Sequence, residues 1–134
     1  MDKKQIVVFD FMPDDCVHTA DAIRQWHGAG AATITEHTHM QEFVHDFNDR
    51  HKNRKPYDMA FIGIEDMMGV ETARNIRELD SWCPLFLVST VDDFSIEGFR
   101  LHALDYLLKP VSPERIGRAV QRIGNPCQAG AQWP

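Results

Sequence analysis

Three short apolar runs in this chain end on residues that can do chemistry. Ile6-Val7-Val8-Phe9 runs into Asp10, and Leu85-Phe86-Leu87-Val88 runs into Ser89-Thr90. The third lies within His102-Ala103-Leu104-Asp105-Tyr106-Leu107-Leu108 and runs into Lys109-Pro110. Runs of this length with β propensity read as buried strands. A lysine at the carboxyl end of such a strand is costly to bury unless an anion faces it. Pro110 fixes the turn that holds the lysine, and an X-Pro bond can be cis there. The sequence thus builds a rigid cationic point at the carboxyl edge of a sheet, where α/β proteins place their sites. Lys109 either captures an anion or pairs with Asp10 across neighbouring strand ends, and the ion pair is the expected outcome.

The elements that position these residues alternate regularly. After the first strand, Val17, Ala20, Ile23 and Trp26 give a helix one apolar stripe, which Asp14 or Asp15 is expected to cap and Gly28-Ala29-Gly30 to stop. A second strand is predicted over 31–36 and a second helix over 40–48, with Arg50 to Lys55 a solvated basic loop. Met59 to Ile64 is the third strand, 65–69 a connecting loop, and Val70, Ala73, Ile76 and Leu79 mark the third helix. Asp92 or Asp93 is expected to cap a short helix bearing Phe94, Ile96 and Phe99. Ser112-Pro113 opens the last helix with a cap and a first-turn proline. Continuous apolar strands separated by amphipathic helices specify an α/β, flavodoxin-like (βα)5 doubly wound sheet: five parallel strands in order 2-1-3-4-5, with helices on both faces. Residues 1–124 are read as one domain and 125–134 as a C-terminal linker or tail.

Bulk properties narrow the function. A chain of 134 residues with 43% hydrophobic and 25% charged residues is a globular domain rather than a disordered segment. A net charge of −6 argues against this domain gripping nucleic acid by itself. No apolar run reaches the length of a membrane span, and Met1-Asp2-Lys3-Lys4 leads into a strand rather than a signal segment. Cys16, Cys83 and Cys127 form no CxxC pattern, so packed thiols in a reducing cytoplasm are expected.

Two stretches carry a resemblance to a known family. They are Tyr57-Asp58-Met59-Ala60-Phe61-Ile62 with Val70-Glu71-Thr72-Ala73, and Gly98-Phe99-Arg100-Leu101 continuing through His102 to Pro110. Over residues 5 to 123 the chain resembles a response-regulator receiver domain, of the subtype attached to LytTR-type DNA-binding domains. The resemblance implies a phosphoryl-transfer switch. An Asp ending strand 3 takes the phosphoryl group, acidic residues after strand 1 help hold Mg²⁺, and a Ser or Thr and a Lys bind the phosphoryl oxygens. On this chain Lys109 matches the lysine, Ser89 the hydroxyl, Thr90 the small residue after it, Tyr106 the switch aromatic and Asp10 the first acidic position.

The departures are as specific as the matches. The second acidic position falls on Phe11 and the phosphoacceptor on Gly63, and the loop that follows is shorter than is usual in the family. A glycine has no nucleophile, so no aspartyl phosphate forms there. One remaining carboxylate beside an apolar ring is too little for a dedicated Mg²⁺ site, which is expected to be lost. No cofactor and no catalysis are therefore expected.

The resemblance implies a non-catalytic receiver-like module acting through a homodimer or a partner protein on its helix 4–strand 5–helix 5 face. That face would present Phe94, Glu97, Arg100, Asp105, Arg115, Arg118 and Arg122, a mixture whose charged members could form cross-subunit salt bridges. Transcriptional control would pass through an output domain, with no nucleic acid or membrane contact by this domain. One alternative is a ligand-binding receiver using a pocket beside Phe11, Met12 and Gly63. Another is phosphorylation on a substitute carboxylate, Glu65 or Asp66. His37, His39 and His45 are read as exposed histidines rather than metal ligands.

Overall fold

The computed structural model describes residues 3–27 and 32–124. In chain order they form β1 (Lys4–Phe9), α1 (Pro13–His27), β2 (Ala32–His37), α2 (Met40–Lys52), β3 (Met59–Gly63), α3 (Met67–Leu79), β4 (Leu85–Ser89), α4 (Ser95–Arg100), β5 (Asp105–Leu108) and α5 (Pro113–Gln121). A single 3₁₀ turn, Arg122–Gly124, follows. The five strands are parallel in the order β2-β1-β3-β4-β5, with helices on both faces, as the apolar pattern predicts. The predicted helix stop at 28–30 and the predicted tail lie outside the described residues.

Alternation along each strand splits the core in two. Val7, Phe9, Ala60, Ile62, Leu85, Leu87 and Tyr106 face α2 and α3. Ile6, Val8, Met59, Phe61, Phe86, Val88 and Leu107 face α1 and α5. The central strands are apolar on both faces because both faces are covered. Phe9 stacks on Phe43 at 4.9 Å and Phe61 on Phe86 at 4.7 Å. Each such ring contributes roughly 1.5–3 kcal/mol by leaving water. Among the described residues no helix is long and apolar enough to cross a membrane.

Some boundaries differ from expectation. α2 continues through Lys52, so half of the basic run is helical. Its last turn carries Arg50, His51 and Lys52, cations that suit the negative end of the helix dipole. β2, Ala32–His37, runs one residue past its predicted end, and residue 31 lies outside the described residues. α3 starts at Met67, inside the predicted loop, because the Asp66 side chain accepts from the Met68 and Gly69 amides. Gly69 lets this start abut the sheet, since a Cβ there would lie 2.9 Å from the Ile64 Cα. Asp92 and Asp93 do not cap α4, whose N-cap is Phe94 without a side-chain bond. Ser112 caps α5 as predicted, accepting from the Arg115 amide, with Pro113 in the first turn.

Candidate functional site

Strand register gathers the chemically able residues on one edge. Ladder bonds continue past the strands: Asp10 N donates to His37 O (3.1 Å), Ile64 N to Val88 O (2.8 Å) and Lys109 N to Ser89 O (2.8 Å). Asp10, Gly63, Ser89 and Lys109 are therefore set by backbone, side by side at the carboxyl ends of β1, β3, β4 and β5. The Lys109-Pro110 peptide is cis.

Lys109 points into this edge and meets three carboxylates. Its Nζ lies 2.8 Å from Asp10 Oδ2, 2.9 Å from Asp15 Oδ2 and 2.8 Å from Glu65 Oε2. The side chain is only 7% exposed. Burial opposes its charge, but the hydrogen bonds to Asp10, Glu65 and Asp15 outweigh burial and hold its pKa above the ordinary lysine value. The expected Asp10 pair is present, with two partners that were not foreseen. Asp15 lies inside the first turn of α1 rather than at its cap, and its carboxylate reaches across to the lysine. Asp10 also accepts from the Met12 amide at 2.9 Å.

Glu65 does more than neutralise the lysine. Its Oε1 accepts from Thr90 Oγ1 (2.6 Å), from Ser89 Oγ (3.2 Å) and from the Thr90 amide (3.1 Å). Desolvation pushes its pKa up, yet the bonds from Lys109 and Thr90 win and hold it below the ordinary 4.5. A carboxylate with a depressed folded-state pKa stabilises the fold above its unfolded value, and that contribution is lost as pH falls through the folded value. Urea titrations of the wild type and of Glu65→Gln are thus expected to differ at neutral pH and to converge as pH drops below 4.5. A gap that stays constant down to acid would show that the charge of Glu65 stabilises nothing.

Gly63 is the position where a side chain is excluded. A Cβ built there overlaps the Asp10 carboxyl group and comes within 3.0 Å of the Asp10 Cβ. The pocket expected beside Phe11, Met12 and Gly63 is crowded at Gly63. Asp10 fills the space at Gly63, Phe11 packs edge-on against Phe9 at 4.9 Å, and Met12 is exposed. A cleft of about 370 Å³ opens on the other side of Lys109, lined by Asp14, Asp15, His18, Thr19, Thr90 and Pro110.

The other predicted residues fall into place unevenly. Tyr106 is buried, donating its hydroxyl to Val91 O (2.7 Å) and accepting from Phe94 N (3.4 Å). Asp105 is not a surface charge. It is 1% exposed, held by Arg115 Nη1 and Nη2 at 2.7 and 2.9 Å and by Arg122 Nε at 2.9 Å. Their expected cross-subunit salt bridges are therefore corrected to an internal clamp between β5 and α5. Arg100 and Arg118 are exposed, Phe94 and Glu97 half-buried. His37 is not a free strand histidine: its Nε2 lies 2.9 Å from Asp46 Oδ2, which also accepts from the Tyr57 hydroxyl. His39 lies at the N-cap of α2, off the strand. Among the described residues no three His, Cys, Asp or Glu side chains are placed to hold a metal ion. Cys16 and Cys83 are buried free thiols, pushed up to about 11 and about 12 chiefly by desolvation.

Sheet order, helix placement and strand-end residues define a flavodoxin-like, CheY-like receiver fold. A receiver-domain structure from Methanospirillum hungatei JF-1 superposes with a TM-score of 0.73 at 17% identity, covering 95% of this chain and 98% of that one. No protein-family model matches the chain. Half of it is similar to named regulators. It is 33% identical over 69 residues to the sensory transduction protein LytR of Staphylococcus haemolyticus (strain JCSC1435), a match over 50% of this chain and 27% of that protein. It is 29% identical over 69 residues to the transcriptional regulatory protein LytR of Staphylococcus aureus (strain N315), over 50% and 28%. The chain spans little more than a quarter of the curated relatives it matches.

Proposed function

We propose that this chain is a receiver-like signalling module that is not phosphorylated at the usual position and acts through protein–protein contact. One observation carries the reading. The residue ending β3, where receivers have their phosphoacceptor, is Gly63, and the Asp10 carboxylate occupies the space a side chain there would need. The lysine that would greet a phosphoryl group is already surrounded by three carboxylates. A dianionic phosphate arriving there meets charge repulsion rather than an open cation.

The output of such a module is a surface. The α4–β5–α5 face exposes Ile96, Phe99 and Leu108 beside Arg100 and Arg118, apolar contacts with a charged rim that suit a second copy or a partner domain. The similarity to LytR regulators supports an output domain that controls transcription, with the contact to DNA made outside this domain.

Intact-mass spectrometry after incubation with Mg²⁺ and acetyl phosphate tests the reading, with a conventional receiver in the same mixture as positive control. No phosphoryl adduct is expected on this chain while the control is modified. An acid- and hydroxylamine-labile adduct on Asp10, Asp15, Glu65 or Asp66 would sink the proposal and make this a working phosphoacceptor.

A further inference from the structure

We propose that the Glu65 carboxylate is a tethered anion that fills the Ser89–Thr90–Lys109 cradle from within and holds Tyr106 in its buried position. The domain is then set in one state by its own side chain rather than by an added group. The inference rests on the reading that no phosphoryl group enters this site.

The geometry is that of a bound oxyanion. Two hydroxyls, one backbone amide and one ammonium converge on the two oxygens of Glu65, at 2.6 and 3.2 Å, 3.1 Å and 2.8 Å respectively. These four donors come from the ends of β4 and β5, elements distant in sequence from the loop that delivers the carboxylate. Hydrogen bonds to an ionised acceptor are the strong ones, so the cluster favours charge at that place. Asp10 and Asp15 also approach Lys109, but no hydrogen bond from Ser89 or Thr90 runs to either of them among those described. Glu65 alone joins the lysine to the hydroxyls.

The same contacts lead on to Tyr106. The Ser89 Oγ that donates to Glu65 accepts from the Val91 amide at 3.2 Å. The Val91 carbonyl in turn accepts from the Tyr106 hydroxyl at 2.7 Å. Glu65 therefore anchors Ser89, Ser89 sets the backbone of the β4–α4 loop, and that loop supplies the acceptor that keeps the ring inside. Two of these links are to backbone, so a shift of Ser89 is passed on rather than absorbed. Glu65 stands two residues beyond Gly63, on the short loop that precedes α3 at Met67.

Tyrosine labelling gives a direct test, because the chain contains two tyrosines. Fluorine NMR of protein labelled with fluorotyrosine resolves Tyr106 from Tyr57, and Tyr57, bonded to Asp46 of α2 and not to the Glu65 cluster, is the internal reference. In Glu65→Ala the Tyr106 signal is expected to shift and broaden while Tyr57 stays fixed. Sodium formate, which returns the lost carboxylate, is expected to move the Tyr106 signal back in a saturable way in the variant and to leave the wild type unchanged. Thr90→Val, which keeps Glu65 but removes its shortest bond, is expected to give an intermediate shift that formate does not reverse. An unchanged Tyr106 signal in Glu65→Ala overturns the inference, as does an equal response of wild type and variant to formate. The two proposals fail separately. A phosphoryl adduct on the wild type defeats the function proposed above, whereas a silent Tyr106 defeats only the role given to Glu65.

Discussion

Lys109→Met is expected to lower the unfolding free energy by about 3–5 kcal/mol, the usual cost of removing one partner from a buried charge cluster. One ammonium separates three carboxylates, each within 2.9 Å of it. Without it the buried Asp10 carboxyl group, 4% exposed, loses its cation and is left beside two other carboxyl groups. Asp15 and Glu65 are more exposed, at 39% and 30%, and can turn towards water, so Asp10 carries most of the penalty. The measurement is the urea midpoint at neutral pH with the slope held constant. Adding Asp10→Asn to Lys109→Met should recover much of the loss, a non-additivity expected of residues in contact. A loss of only about 1 kcal/mol, the scale of a surface ion pair, would mean that the cluster is solvated rather than buried.

Asp105→Ala is expected to cost about 3 kcal/mol or more and to loosen α5 in particular. Asp105 receives both arms of Arg115 and the Nε of Arg122, a planar double contact that fixes orientation as well as charge. Its removal takes the shared carboxylate from two guanidinium groups, 24% and 13% exposed. They can regain water only if α5 lifts from β5. Hydrogen exchange is the discriminating readout: the amides of 113–121 should lose protection well before those of β1 and β3. Uniform loss across the sheet would show that the clamp serves the whole core and not the last helix.

The fold was legible because nearly every strand is an uninterrupted apolar run and nearly every helix has one apolar stripe. Burial on both faces leaves few other ways to arrange such a pattern. The end of α2 was less legible, since Arg50-His51-Lys52 looks like a solvated loop until the helix dipole is counted in its favour. In the site, Asp10, Ser89 and Lys109 could be placed from sequence because each directly follows or ends a strand, and strand ends are fixed by register. Glu65 and Asp15 could not. A carboxylate in a loop or in a first helical turn looks solvated or capping, and only the folded chain shows that both turn towards one lysine. Asp105 was misread for a related reason: a charge at the start of a strand beside an arginine-bearing helix looks external. The overlooked signal is the spacing of Arg115 in α5 and Arg122 at its C-cap, about two helical turns apart and so able to converge on one anion.

The fit of Asp10 into the space beside Gly63 bears on how this sequence can change. Positions 10 and 63 share a single volume, so any side chain at 63 must displace the Asp10 carboxyl group and with it a bond to Lys109. An aspartate placed at 63 alone therefore enters a space that the Asp10 carboxyl group already fills, and begins with a penalty rather than a gain. Glycine at 63 and aspartate at 10 are thus tied by volume: a larger residue at one calls for a compensating change at the other.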